Sequence, residues 1–146
     1  MRWLIDTNVL LRSAQTSHPG YDDVARSISI LKSRRDELHV VAQNLIEFWA
    51  VATRPVGNNG LGLSIAQTDV EVSRLKSLFA LVPDTPEIFS EWERIVLQYQ
   101  VSGKQVHDAR LVAAMKAHGL SNLLTFDVGD FKRFTEITVV DPRDVT

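Results

Sequence analysis

The sequence predicts an α/β domain of three layers, α/β/α, built on a parallel sheet of about five short strands. Two observations carry this. Short apolar runs bounded by turn residues alternate with longer stretches whose apolar residues recur at helical spacing. Strands separated by helices need crossover connections, and these build a parallel sheet covered on both faces. A third observation sets the scale. A chain of 146 residues, 45% hydrophobic and 23% charged, is read as one domain, 1–146, with an ordinary globular balance. It has no cysteine, which removes disulfide scaffolds, thiolate zinc sites, iron–sulfur clusters and thiol nucleophiles.

The elements follow in order. Trp3-Leu4-Ile5 is a short buried strand ending at Asp6. Val24, Ile28 and Leu31 mark a helix, and Lys32, Arg34 and Arg35 suit its C-terminal end. His39 to Ala42 is the second strand, followed by a helix through Leu45, Phe48, Trp49 and Ala52 that Pro55 stops. Gly57 to Gly62 is a loop; without the Lys-Ser/Thr of a P-loop it is no nucleotide cradle. Val72, Leu75, Leu78 and Phe79 mark the next helix, and Leu81-Val82 a strand. From Pro86, the residues Ile88, Phe89, Trp92, Ile95, Val96 and Tyr99 form one apolar stripe, core or dimer surface in character. Asp108 to His118 is helical and closes on Gly119 with Leu120 as the cap contact. Asn122 to Phe126 is a strand ending at Asp127, and Ile137 to Val140 is the last strand. No apolar run approaches the roughly 18 residues of a membrane helix. Asp6 interrupts any signal-peptide core, so a soluble cytoplasmic protein with no membrane partner is expected.

Parallel sheets place their sites beyond the carboxyl ends of the strands, and acids stand there. Asp6 and Asp127 follow strands; each, taken alone, is an ordinary helix cap or turn residue. Glu47 is the only charge between His39 and Arg54, on a helix apolar almost all round. It is either a partly buried carboxylate awaiting a cation or the reciprocal partner of Asn44 in a capping box. Asp108 starts the stripe of Leu111, Val112 and Met115, so it belongs to an inward face. Four carboxylates sharing one cleft raise each other's pKa unless a divalent ion lies among them. Oxygen ligands without cysteine or paired histidines favour Mg²⁺ or Mn²⁺ over zinc. The net charge of −2 does not exclude an anionic substrate, because the chain without those four acids is positive.

The ordered motifs Asp6-Thr7-Asn8, Glu47, Asp108-Ala109-Arg110-Leu111-Val112-Ala113-Ala114 and Leu124-Thr125-Phe126-Asp127-Val128-Gly129-Asp130-Phe131 resemble the PIN domain, and within it the VapC-type toxins of toxin–antitoxin modules. The resemblance spans Met1 to about Val140. It implies an Mg²⁺- or Mn²⁺-dependent endoribonuclease, a homodimer whose partners are RNA and a cognate antitoxin protein that occupies the acidic groove. Carried over by position, Asp6, Glu47 and Asp108 match the three most regular metal-site acids and Asp127 the more variable fourth, where many relatives carry Asn. Asn8 and Thr125 match supporting polar residues, and Asp130 stands in the usual Asp-Phe pair. Arg12, Arg54, Lys104 and Arg110 lie near the motifs and are candidate contacts for RNA phosphates, although most such side chains are simply solvated. Two other readings use the same residues. A haloacid-dehalogenase or receiver-like phosphoryl-transfer domain would use Asp6 as acceptor, but Asn8 stands where the phosphatase pattern wants a second Asp. A non-catalytic module would use the acidic pocket to capture an Arg-rich segment.

Overall fold

The computed structural model describes all 146 residues. The chain runs β1 (Arg2–Ile5), α1 (Thr7–Ser13), α2 (Tyr21–Ser33), β2 (Glu37–Val41), α3 (Ala42–Thr53), α4 (Ile65–Leu78), β3 (Ala80–Val82), α5 (Pro86–Gln98), α6 (Val106–His118), β4 (Asn122–Leu124), α7 (Val128–Phe131) and β5 (Thr138–Val140). The strands form one sheet in the order β3-β2-β1-β4-β5. Every neighbouring pair is parallel.

The alternation of side chains along the strands generates the layers. Trp3, Ile5, Leu38, Val40 and Leu124 point to one face and pack with Val9, Leu31, Phe48 and Leu75 of α1 to α4. Leu4, Val41 and Leu123 point to the other and pack with Ile88 and Ile95 of α5, Leu111, Val112 and Met115 of α6, and Phe131. The result is the three-layer α/β/α arrangement expected from the alternating runs. β1 is the central strand, and the direction of winding reverses between it and β4. In such sheets the crevice opens at that reversal, beyond the strand ends. Asp6 leaves β1 there, and Thr125 to Asp127 leave β4 there.

Several boundaries differ from the sequence reading, each for a local reason. β4 ends at Leu124, not Phe126: Thr125 N–H still bonds Val140 O at 3.0 Å, but Phe126 N–H turns to the Asn8 side chain at 3.2 Å. Ala42 opens α3 instead of closing β2, and α6 begins at Val106, two residues before Asp108. Phe89 is 64% exposed and leaves the α5 stripe, whose buried members are Ile88 and Ile95. The closure of α6 is as expected: Gly119 has φ +65° and Leu120 N–H returns to Met115 O at 2.8 Å.

The glycine loop folds back on the end of α3. Gly60 N–H bonds Pro55 O at 3.0 Å, and a Cβ at Gly60 would land on the Arg54 carbonyl. A Cβ at Gly57 meets nothing within 4 Å. In urea unfolding, Gly57→Ala is expected to stay within about 0.5 kcal/mol of the parent, and Gly60→Ala to lose about 2 kcal/mol or more. Equal stabilities would show that the loop is not held by this close approach.

Candidate active site

Asp6 is 6% exposed and is the N-cap of α1. Its Oδ1 accepts the Thr7 N–H at 2.8 Å, and its Oδ2 accepts the Thr125 hydroxyl at 2.7 Å. The capping reading of Asp6 is therefore correct as far as it goes. Burial nevertheless pushes its carboxyl up to about 7; the bonds from Thr125 and Thr7 oppose this, and Glu47 and Asp108 add repulsion.

Asn8 ties β4's exit to α1. Its Nδ2 lies 3.1 Å from Thr125 Oγ1, 3.0 Å from Asp127 Oδ2 and 3.4 Å from Asp6 Oδ2. Its Oδ1 accepts the Phe126 N–H. Thr125 Oγ1 in turn accepts the Asp127 N–H at 3.0 Å. Asn8 and Thr125 are thus in contact with Asp6 and Asp127 as one hydrogen-bonded set.

Glu47 lies on α3, half-buried. Its Oε2 accepts the Thr7 hydroxyl at 3.0 Å and its Oε1 accepts Gln43 Nε2 at 2.9 Å. It is not in a capping box with Asn44. Asn44 is itself the third residue of α3, and its side chain accepts the Val41 N–H at 3.0 Å. Asp108 is likewise no N-cap; it is the third residue of α6. No protein donor meets its carboxylate. Burial raises it to about 6, with Asp130, Glu47 and Asp127 contributing repulsion in that order. Asp127 and Asp130 are exposed at the start of α7.

Two residues to which the sequence assigns no role, Gln43 and the Thr7 of Asp6-Thr7-Asn8, organise this site. Thr7 bonds Glu47 and Gln43 bridges α3 to α6. Gln43 Nε2 donates to Glu47 and to the His107 carbonyl at 2.9 Å, and its Oε1 accepts Arg110 Nη1 at 3.1 Å. The one signal for Gln43 was its position four residues before Glu47, on the same helix face. His107 takes part through its main chain.

The four candidate cations are placed differently. Arg110 lines an open cleft of about 450 Å³ with Gln43, Glu47, Asp84 and His107, and stands 3.5 Å from Asp84. Arg12 lines a separate hollow next to Phe126. Arg54 and Lys104 are exposed and line neither.

No ion pair involves Asp6, Glu47, Asp108, Asp127 or Asp130. The five carboxylates form a shared negative field with no ion pair inside it, opposed at Asp108 by the His107 ring. Their chemistry fits a hard, oxygen-binding cation. Their side chains are not gathered into a ready-made metal site of three or more acidic or histidine ligands. An ion would have to draw them in.

A family model described as PIN domain matches residues 3–137. The chain belongs to the PIN domain family. At the level of that family it is a nuclease domain. Its fold is similar to that of a chain in VapBC2 from Rickettsia felis bound to a promoter DNA fragment: TM-score 0.73, 12% identity, 97% of this chain and 98% of that one. FitAcB from Neisseria gonorrhoeae gives a TM-score of 0.69 at 20% identity over 97% and 99%. VapC20 from Mycobacterium tuberculosis, described as a sarcin–ricin loop cleaving toxin, gives 0.65 at 18% identity over 91% and 95%. No curated protein matches the sequence. At these identities the likeness is one of fold.

The PIN domain's raised acids have a consequence for stability. Asp108 binds its proton more tightly in the folded chain than at its unfolded value of 3.8. Metal-free stability therefore falls as pH rises from about 4 through about 6. Asp108→Asn removes this loss. After allowance for solvent screening of a half-exposed group, the variant is expected to be about 1 kcal/mol more stable than the parent at pH 8 in chelator, with no gain at pH 4. Urea unfolding at the two pH values checks it; a destabilised variant at pH 8 would show that Asp108 is compensated. Asp6→Asn is a poorer probe, because its amide would meet the hydroxyl hydrogen of Thr125 and the amide of Asn8.

Proposed function

We propose that this PIN domain, 1–146 acting as one unit, is an Mg²⁺- or Mn²⁺-dependent endoribonuclease and the toxin of a toxin–antitoxin pair in the cytoplasm. The observation that carries the reading is the field of five unpaired carboxylates at the winding reversal of the sheet. A chain that pairs its other buried and half-buried acids has left Asp6, Glu47 and Asp108 without an ion pair, which suits a cation arriving from solution.

Asp6, Asp108, Glu47 and Asp127 would hold the ion. Bound there, it supplies a polarised water and positive charge at the scissile phosphate of RNA. The chain's own residues set the stage for this. Thr125 spends its hydroxyl hydrogen on Asp6, so it fixes that carboxylate and does not orient water. Asn8 holds Asp127 to the same frame. Thr7 and Gln43 hold the two oxygens of Glu47. Arg110, kept in the cleft by Gln43, provides positive charge for the substrate. Asp130 adds to the field at Asp108 from α7.

The toxin part of the reading is supported by the fold's likeness to chains of toxin–antitoxin complexes, including one from Klebsiella pneumoniae. The partners are then an antitoxin protein and a second copy of the chain. The acidic groove has an apolar flank at Ile46, 67% exposed, which suits a bound peptide. A phosphoryl-acceptor role for Asp6 is disfavoured by its burial and by the bonds on both its oxygens.

RNA cleavage tests the reading. The parent is expected to cleave a labelled RNA pool with Mg²⁺ or Mn²⁺ and to stop in EDTA. Asp108→Asn is expected to lose at least about 100-fold in rate, or about 3 kcal/mol of barrier lowering. Full activity in Asp108→Asn would overturn the assignment. Binding of Mg²⁺ by a parent that cleaves no RNA would turn it into an acidic capture module.

A further inference from the structure

A second hollow, separate from the Arg110 cleft and of about 380 Å³, is lined by Arg12, His18, Gly20, Asp23, Phe126 and Arg143. That volume is at the small end of ligand pockets and has room for one nucleotide unit. Its cations are not equivalent. Arg143 is pinned to Asp141 by bonds of 2.6 and 2.9 Å, with its guanidinium 5.9 Å over the Phe126 ring. Asp23 is answered by Arg26 at 3.6 Å. Arg12 has no carboxylate partner; its one hydrogen bond is to the neutral Gln15 at 2.8 Å. It is the guanidinium left over for an incoming anion.

The hollow also offers neutral donors. His18 Nδ1 accepts the Gly20 N–H at 2.9 Å. A ring nitrogen that accepts this bond carries no hydrogen, which places the imidazole hydrogen on Nε2; burial and the nearby Arg12 hold the group below its usual range. Gly20 is the N-cap of α2 and brings no side chain to that helix's first N–H groups.

Position links the hollow to the acids. Arg12 is four residues after Asn8 on α1, so the two share a helix face about 5–6 Å apart. Phe126, which lines the hollow, stands between Thr125 and Asp127 in the chain. A strand with one phosphodiester at the acids has the next within reach of Arg12. We propose that this hollow seats the phosphodiester adjoining the scissile one on the RNA strand, with Arg12 as its ion partner, His18 Nε2–H as a second donor and Phe126 as an apolar wall beneath the nucleotide. The proposal rests on the ribonuclease reading and names where its substrate lies.

The test is the binding of a short fluorescein-labelled single-stranded RNA of mixed sequence, read by anisotropy in EDTA over a salt series. Arg12→Gln is expected to weaken binding about fivefold. It should also reduce the slope of log K against log salt by about 0.7, the share of one phosphate contact on a single strand. His18→Ala should weaken binding about twofold to threefold with the slope kept. Lys32→Gln removes the same charge at the far end of α2 and should leave binding near the parent's. Equal losses for Arg12→Gln and Lys32→Gln would overturn the proposal, as would an unchanged Arg12→Gln or a parent that binds no RNA. Displacement of the strand by an equal concentration of adenosine monophosphate would make this a free-nucleotide site and also overturn it. Thermal melts of each variant exclude unfolding as the cause. Binding is read without metal, so the two readings separate. RNA held through Arg12 but never cleaved with Mg²⁺ leaves the hollow standing and removes the nuclease. Cleavage with Arg12→Gln unimpaired does the reverse.

Discussion

A carboxylate buried at the carboxyl end of the central strand is the constraint around which the rest is arranged. Asp6 has almost no contact with solvent, and a charge so placed is costly unless strong donors meet it. The donors are Thr7 N–H, the Thr125 hydroxyl and, more distantly, Asn8. Each comes from a segment that leaves the sheet at the winding reversal. The need to solvate Asp6 thereby fixes how β1, α1 and the exit of β4 meet. It also explains why β4 stops early: the Thr125 side chain is given to Asp6 while its N–H makes the last bond to β5, and Phe126 N–H turns to Asn8 instead of prolonging the ladder.

Those donors lower the cost without cancelling it, and the chain adds to it with four more acids. Elsewhere the protein pairs the acids that it buries or half-buries, and those left unpaired, such as Asp69 and Glu93, are exposed. Arg94 bonds both Glu91 and Glu136, and Arg143 grips Asp141. The partners hold Glu136 and Asp141 below the usual carboxylate range. At the crevice the shifts run the other way, upward at Asp6 and Asp108, because burial and like charge act there with no ion pair to oppose them, and the His107 ring beside Asp108 offsets only part of the rise. The contrast is within one chain and one set of conditions. Gln43 adds a mechanical element. By bonding Glu47, the His107 carbonyl and Arg110 together, it sets the distance between the acid of α3 and the acid of α6.

Much of this was legible in the sequence, and the part that was not has a physical reason. The alternation of apolar runs gave the sheet, its parallel sense and its two helical layers. Asp6 was visible because it interrupts a buried run, Glu47 because it stands alone on an apolar helix, and Asp108 because it shares a stripe with Leu111 and Met115. The resemblance to the PIN domain added their common purpose and brought in Asn8, Thr125 and Asp130. Of the two readings open for Glu47, the capping box with Asn44 rested on spacing alone and does not form. The true helix starts earlier, and Asn44 bonds backward to Val41. Gln43 and Thr7 escaped because their role lies in bonds between helices that no local pattern encodes. Of the four basic residues near the motifs, sequence distance could not separate Arg110 and Arg12, which line hollows beside the acids, from Arg54 and Lys104, which do not.

The acidic field holds no ion pair until a divalent cation enters it. Titration calorimetry of Mg²⁺ or Mn²⁺ in two buffers of different ionisation enthalpy measures it most directly, since the difference in heats counts protons released on binding. With Asp6 at about 7 and Asp108 at about 6, binding at pH 6.5 is expected to release about one proton per ion, falling toward none by pH 9. An ion that binds at pH 6.5 with no proton release, or that does not bind at all, would contradict it.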